Sequence, residues 1–128
     1  MKPFDYVRAE DADAALNLIS TIRGSKFLGG GTNLVDLMRE GIETPQTLID
    51  ISRLPLDGID TLADGGMRIG ALVRNSTLAA HPLVRLRYPL LSQAILLGAT
   101  GQIRNMATVG GSRSGKAWLR QVCKNIEL

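Results

Sequence analysis

Hydrophobic and polar positions change period several times along this chain, and each change marks an element. "FDYVRA" alternates apolar and polar residues and predicts a short strand. In "EDADAALNLISTIRG" the spacing becomes helical: Ala14, Ala15, Leu18, Ile19 and Ile22 fall on one face. Asp11 or Asp13 is placed to cap that helix and Gly24 to stop it. "KFL" predicts a strand running into Gly29, Gly30 and Gly31, and "TNLVDLMREG" a helix of two to three turns, capped by Thr32 or Asn33 and ended by Gly41.

The apolar, β-branched "TLIDIS" predicts another strand. "LDGIDTLADGGMRIGALV" predicts two strands around "ADGG", whose residues accept positive φ. "NSTLAAH" starts a short helix with Asn75 or Ser76 as cap. "PLVRLRYPLLSQAILLGA" is the longest helical pattern, with a break or a new helix expected at Pro89. "TGQIRNMATVGGS" reads as a loop. Strand, helix, strand, helix, strand, hairpin, helix is the order of an α/β or α+β chain, not of a bundle or a sandwich.

Composition narrows the chemistry. The 128 residues make one domain's worth of chain, 45% hydrophobic and only 4% aromatic, so Leu, Ile, Val and Ala must build the core. A net charge of +3 without a dense basic patch argues against nucleic acid. Cys123 is the only cysteine and His81 the only histidine, which disfavours a disulfide, a protein-only metal site or a Cys/His nucleophile pair. His81, just before Pro82, reads as a polar residue at a helix boundary. "MKPFDYVRAE" has no apolar signal-type core and no apolar run is long enough to span a membrane. The expectation is a soluble cytoplasmic protein, with export beside a partner subunit as the alternative.

Three glycine-bearing stretches carry candidate chemistry. "FLGGGTNLVDL" is either an ordinary capped turn or a cradle of backbone N–H groups for a phosphate, helped by the dipole of the following helix. It is not a dinucleotide fingerprint: Gly29 and Gly31 have the first spacing, and Asp50 ends a strand where an acid is wanted, but Leu34 stands at the third glycine. "GGSRSGKA" nearly fits a P-loop through Gly110, Gly115 and Lys116, yet Ala117 replaces the hydroxyl that holds magnesium. "QIRNMATVGGS" offers Thr108 as a donor and Gly110 and Gly111 for close backbone approach, with Arg104 and Asn105 to pin the loop or touch a ligand.

In order, "KFLGGGTNLVDLM", "TLIDIS", "GGMRIGALVRNSTLAAHP" and "QIRNMATVGG" resemble the FAD-binding subunit of the molybdenum hydroxylases: xanthine dehydrogenase, carbon monoxide dehydrogenase and, most similar, the bacterial aldehyde oxidoreductases. The resemblance implies an α+β fold, the N-terminal part of a vanillyl-alcohol-oxidase-like (PCMH-type) FAD-binding domain, with FAD between two subdomains. It implies that Phe27, Leu28, Gly29, Gly30, Gly31, Thr32, Asn33 and Leu34 hold the FAD pyrophosphate, mainly through the amides of Gly29 to Asn33. It places Thr108, Gly110, Gly111 and Ser112 beside the flavin, with Ser112 where Asn or Asp is more usual.

It also implies an oxidoreductase subunit that relays electrons from molybdenum and [2Fe–2S] centres on partner subunits, through FAD, to an acceptor. No catalytic side chain and no metal ligand is expected on this chain. The resemblance runs through residues 1–111; residues 112–128, "SRSGKAWLRQVCKNIEL", read as an atypical tail, as in a truncated chain. The expected rivals are an inactive fragment or interaction module without flavin, self-associating through an open face, and, more distantly, a P-loop-like nucleotide binder. Substituting Gly30 or Gly31 with a bulky residue is expected to abolish flavin binding without unfolding the domain.

Overall fold

The computed structural model describes residues 1–111 and the backbone of Ile126–Glu127. Contacts group the chain into two units, Met1–Pro55 and Leu56–Leu128.

The first unit is built on a parallel sheet. Strands β1 (Asp5–Arg8), β2 (Ser25–Leu28) and β3 (Thr47–Asp50) lie in the order β1-β3-β2, with Asp5 and Ser25 both level with Thr47. The central strand is buried at all four positions, which suits its β-branched, apolar sequence. Helix α1 (Ala12–Thr21) connects β1 to β2, and α2 (Leu34–Arg39) connects β2 to β3. Asp11 caps α1, its carboxylate accepting the Ala14 N–H at 2.7 Å, and Ala15 is buried on the expected apolar face. Gly24 and Gly41 take positive φ after α1 and α2, as their placement predicts.

Helix α2 is shorter than its sequence pattern suggests. It has six residues, and Asn33 stands at its N-cap in a helical conformation without a side-chain capping bond.

The second unit pairs a hairpin with helices. Strands β4 (Ile59–Thr61) and β5 (Met67–Ile69) are antiparallel, and β6 (Ile126–Glu127) runs parallel to β5. Gly65 turns the hairpin at φ +86°, while the Asp64 carboxylate accepts the Gly66 N–H at 2.9 Å. Four helices follow: α3 (Asn75–Ala80), α4 (Pro82–Arg87), α5 (Pro89–Gly98) and α6 (Gly101–Met106).

Pro89 starts a new helix after a break at Tyr88, as its ring requires. His81 caps α4, its Nδ1 accepting the Leu83 N–H at 3.3 Å with Pro82 opening the helix. Two expectations are corrected. Arg74, not Asn75 or Ser76, is the N-cap of α3, and "TGQIRNM" is helix α6. The Thr100 hydroxyl oxygen accepts the Ile103 N–H at 3.3 Å, so the threonine that suggests a loop is the helix's own cap.

Met67, Ile69, Val73, Leu78, Ala79, Val84, Leu91, Ile95 and Val109 form the core of this unit. The backbone passes too close for a side chain at Gly70. A Cβ there would stand 2.1 Å from the Leu56 carbonyl oxygen, while Leu72 N–H donates to that same oxygen at 2.8 Å. Both sides of the clash are backbone, so neither yields by rotating a side chain. Gly70→Ala is therefore expected to destabilise the protein by at least about 3 kcal/mol. At Gly58 a Cβ meets only the Asp60 carboxylate at 3.7 Å, so Gly58→Ala is the matched control. Urea unfolding of the two variants checks this; equal midpoints would contradict it.

Candidate functional site

The glycine run leaves the carboxyl end of β2, the edge of a parallel sheet beyond which ligands characteristically bind. The end of β2 is tied to the central strand: Ile51 N–H donates to the Leu28 carbonyl at 3.0 Å. At the far side of β3, Ala9 N–H donates to the Asp50 carbonyl at 3.0 Å. Three strands thus end level, and the loop 29–33 rises from a fixed rim.

Gly31 is the turning point. Its φ of +77° is one that residues with a side chain rarely adopt, and a Cβ would lie 3.4 Å from Val35 and 3.5 Å from Leu28. Val35 N–H closes the first helical turn on the Gly31 carbonyl at 3.0 Å, and Leu37 N–H donates to Asn33 at 3.0 Å. The backbone N–H groups of residues 29–34 have no acceptor among the described residues. Nor do the side chains of Thr32 and Asn33 form a hydrogen bond there. Six consecutive donors without a protein acceptor, three of them on glycine, make an arrangement suited to an anion such as a pyrophosphate. With six residues α2 is too short to supply much macrodipole, so the capacity rests on the amides themselves. Phe27 is exposed, and Leu28 and Leu34 are half-buried.

Asp50 serves the sheet. It is 5% exposed, and its carboxylate accepts the Ser52 N–H at 2.9 Å and the Tyr6 hydroxyl, with Arg8 Nε at 3.5 Å. Burial pushes this carboxyl up, but the hydrogen bonds from Ser52, Tyr6 and Arg8 outweigh it and lower the pKa from 3.8 to about 2. Tyr6 and Arg8 lie on β1 and Asp50 on β3, so the cluster clamps two strands at the rim.

In the second unit, the residues around Thr108 are laid beside the segment before α3. Arg74 bridges Thr108 in antiparallel fashion. Asn75 N–H donates to Ala107 at 2.9 Å, Val109 N–H to Val73 at 3.0 Å and Gly110 N–H to Ala71 at 2.9 Å. Two arginines fix the neighbouring helix ends: Arg74 donates to the Met106 carbonyl, and Arg104 to the carbonyls of Leu96, at 3.0 Å, and Ala99. Of the two roles open to Arg104, pinning the loop is the one its contacts support.

The glycine pair divides. A Cβ on Gly110 would come within 3.0 Å of the Ala71 Cβ and carbonyl oxygen, so packing accounts for that glycine. Gly111 is exposed, and a Cβ there would meet only the Thr108 hydroxyl at an ordinary 3.5 Å among the described residues. Gly111 is thus the one whose bare backbone the packing of the described residues leaves unexplained. Ser112, the P-loop-like Gly115, Lys116 and Ala117, and Cys123 lie outside the described residues. Among those described, no helix is long and apolar enough to cross a membrane.

Comparison with known proteins matches these features to one family. Residues 2–116 fit the family described as the FAD binding domain in molybdopterin dehydrogenase. The aldehyde oxidoreductase FAD-binding subunit PaoB of Escherichia coli is 54% identical over 113 residues, 88% of this chain and 35% of that one. The 6-hydroxypseudooxynicotine dehydrogenase complex subunit alpha of Paenarthrobacter nicotinovorans is 37% identical over 115 residues, 88% of this chain and 39% of the relative. Among solved structures, carbon monoxide dehydrogenase from Hydrogenophaga pseudoflava, in a form lacking the Mo-pyranopterin moiety, superposes with a TM-score of 0.79 at 35% identity, covering 89% of this chain and 41% of that one. Reconstituted CO dehydrogenase from Oligotropha carboxidovorans gives 0.82 at 29% identity, covering 87% and 39%.

The chain belongs to the FAD-binding domain family of the molybdenum hydroxylases, with that family's mixed helix-and-strand fold. It spans 35% to 39% of the length of these two curated relatives.

The Asp50 clamp has a pH signature. Its folded pKa is depressed, so its stabilisation is present above the unfolded value of 3.8 and is lost as pH falls towards about 2. Solvent screening holds that contribution to the order of 1 kcal/mol. Asp50→Asn should lower the urea midpoint at neutral pH and flatten the loss of stability below about pH 4. An unchanged acid limb in the variant would contradict the clamp.

Proposed function

We propose that this chain is the FAD-binding portion of a molybdenum hydroxylase's flavin subunit, and that residues 27–34 hold the FAD pyrophosphate. What carries the reading is the run of backbone amides from Gly29 to Leu34 without an acceptor among the described residues. Gly31 sets the turn, Gly29 and Gly30 leave the approach open, and Thr32 and Asn33 add side-chain donors. Thr108, Gly110, Gly111 and Ser112 form the second contact, with Gly111 offering bare backbone to the ligand and Gly110 holding that backbone against Ala71. Phe27 and Leu34 supply apolar surface that keeps water from the anion's flank. We read residues 1–111 as the part carrying these motifs and 112–128 as a tail of different character.

FAD, when bound, supplies the electron-accepting and electron-donating chemistry; the chain binds and orients it and moves no proton. The activity proposed for the whole assembly is relay of electrons from molybdenum and iron–sulfur centres on companion subunits, through FAD, to an acceptor. The partners proposed are therefore a molybdenum-cofactor large subunit and a [2Fe–2S] small subunit. Support comes from the family and from relatives named as subunits and medium chains.

Gly30 is the residue to test. Gly31→Val forces a side chain into positive φ and against Val35, which confuses folding with binding. Gly30 has no positive φ, so a side chain there does not force the backbone into a conformation reserved for glycine. Titration of the purified chain with FAD, followed by the flavin absorption spectrum, should show saturable binding. Gly30→Val should weaken it by at least about a hundredfold, the loss expected when charge-assisted hydrogen bonds are broken, with an unchanged thermal melt. Equal binding by the variant would overturn the role of the loop, and a wild type that ignores FAD would favour a flavin-free fragment.

A further inference from the structure

Charge is divided sharply along this chain. Between Asp64 and Glu127 the sequence contains no aspartate or glutamate. Across residues 65–111 the only residues with permanent charge are Arg68, Arg74, Arg85, Arg87 and Arg104. Three of these have structural duties: Arg74 and Arg104 hold helix-end carbonyls, and Arg87 donates to the Gly65 carbonyl at 3.0 Å. A bond to a carbonyl leaves the positive charge in place. The Arg85 side chain is exposed and has no hydrogen bond or ion pair among the described residues. The acids of the same unit that lie before this stretch, Asp57, Asp60 and Asp64, are outnumbered by its five arginines, which leaves residues 56–111 with a net positive charge.

The same stretch exposes large apolar side chains on its helices. Leu86 is 76% exposed, Leu90 65% and Leu97 88%. Leu90 and Leu97 are seven residues apart on α5 and share one stripe, while Leu91, Ser92 and Ile95 bury the opposite face. Leu86 lies in the last turn of α4, between Arg85 and Arg87. A soluble monomer rarely shows an apolar stripe of this kind without a use for it. Nor does the flavin reading use it, because none of these leucines lies in the glycine loop or in 107–111.

We propose that the α4–α5 face, centred on Leu86, Leu90 and Leu97 and bordered by Arg85 and Arg87, docks a companion protein subunit whose own face is apolar at the centre and acidic at the rim. The inference rests on the reading of this chain as one subunit of an assembly. Charge complementarity selects the occupant: the arginines want carboxylates, and a second copy meeting this face with its own brings none from residues 65–111. An anionic lipid surface would satisfy the arginines too. However, α4 and α5 are short helices of six and ten residues, already half-committed to the core, and the relatives are named as subunits and medium chains.

The test uses the full chain against the molybdenum-containing and iron–sulfur subunits of the Escherichia coli aldehyde oxidoreductase, the enzyme whose FAD-binding subunit is 54% identical to it. Binding is followed by interferometry, with light scattering of the chain alone and flotation with phosphatidylglycerol vesicles as parallel arms. The expected result is a complex that weakens as sodium chloride rises from about 0.05 to about 0.5 M. Arg85→Glu and the double variant Leu90→Asp, Leu97→Asp should each weaken it by at least about tenfold. These residues are exposed, so circular dichroism should confirm folded variants. FAD titration of the same variants should match wild type, which separates loss of docking from failure of the flavin site. No complex, a complex indifferent to both variants, a dimer of the chain that the leucine variants dissolve, or binding to vesicles alone would each overturn the proposal.

Discussion

The first unit depends on one strand being held on both sides. β3 pairs in parallel with β1 and with β2, in the same register, and is buried along its whole length. Because the three strands end level, the bonds just past their ends decide what the loops can do. Ile51 N–H on the Leu28 carbonyl fixes the point from which the glycines depart, and the Asp50 cluster locks the opposite side. A loop of glycines alone would be costly to order around a ligand. Anchored at Leu28 and closed by Val35 on Gly31, most of that entropy is lost during folding, before any ligand arrives.

The two glycine motifs turn out to work differently. At residues 29–31 the backbone is left with donors to spare. At residues 110–111 the first glycine is packed against Ala71, while the second meets only the Thr108 hydroxyl among the described residues. The ladder between 71–75 and 107–110, with Arg74 closing on Met106, sets where that backbone sits. Glycine therefore marks close approach of chain to chain at Gly110, whereas at residues 29–31 it leaves backbone donors without an acceptor among the described residues.

Much of this was legible in the sequence because local signals agreed. The alternation in "FDYVRA", the β-branched "TLIDIS", the "ADGG" turn and the Pro89 break each forecast the element found. What was not legible depended on partners far along the chain. "TGQIRNM" looked like a loop because its helix is six residues long, capped by Thr100 and pinned through Arg104 to carbonyls at the end of α5. Gly70 carried no motif at all, since its constraint is the Leu56 backbone. Asp50 stands where a dinucleotide fingerprint wants an acid, a motif that Leu34 already excludes, and its carboxylate is occupied by Tyr6, Arg8 and Ser52. The glycine loop itself was an open choice between turn and cradle. The positive φ at Gly31 shows the turn, and the amides left without acceptors are what the order of residues could not display.

The central claim concerns those amides, and they can be observed one by one. Nuclear magnetic resonance of the nitrogen-15-labelled chain, titrated with FAD, should move the N–H resonances of residues 29–34 downfield together, in one saturable transition. ADP, which carries the pyrophosphate without the flavin, should move the same set. If FAD leaves residues 29–34 in place while shifting resonances elsewhere, the pyrophosphate is held by other groups and the account of this loop is wrong.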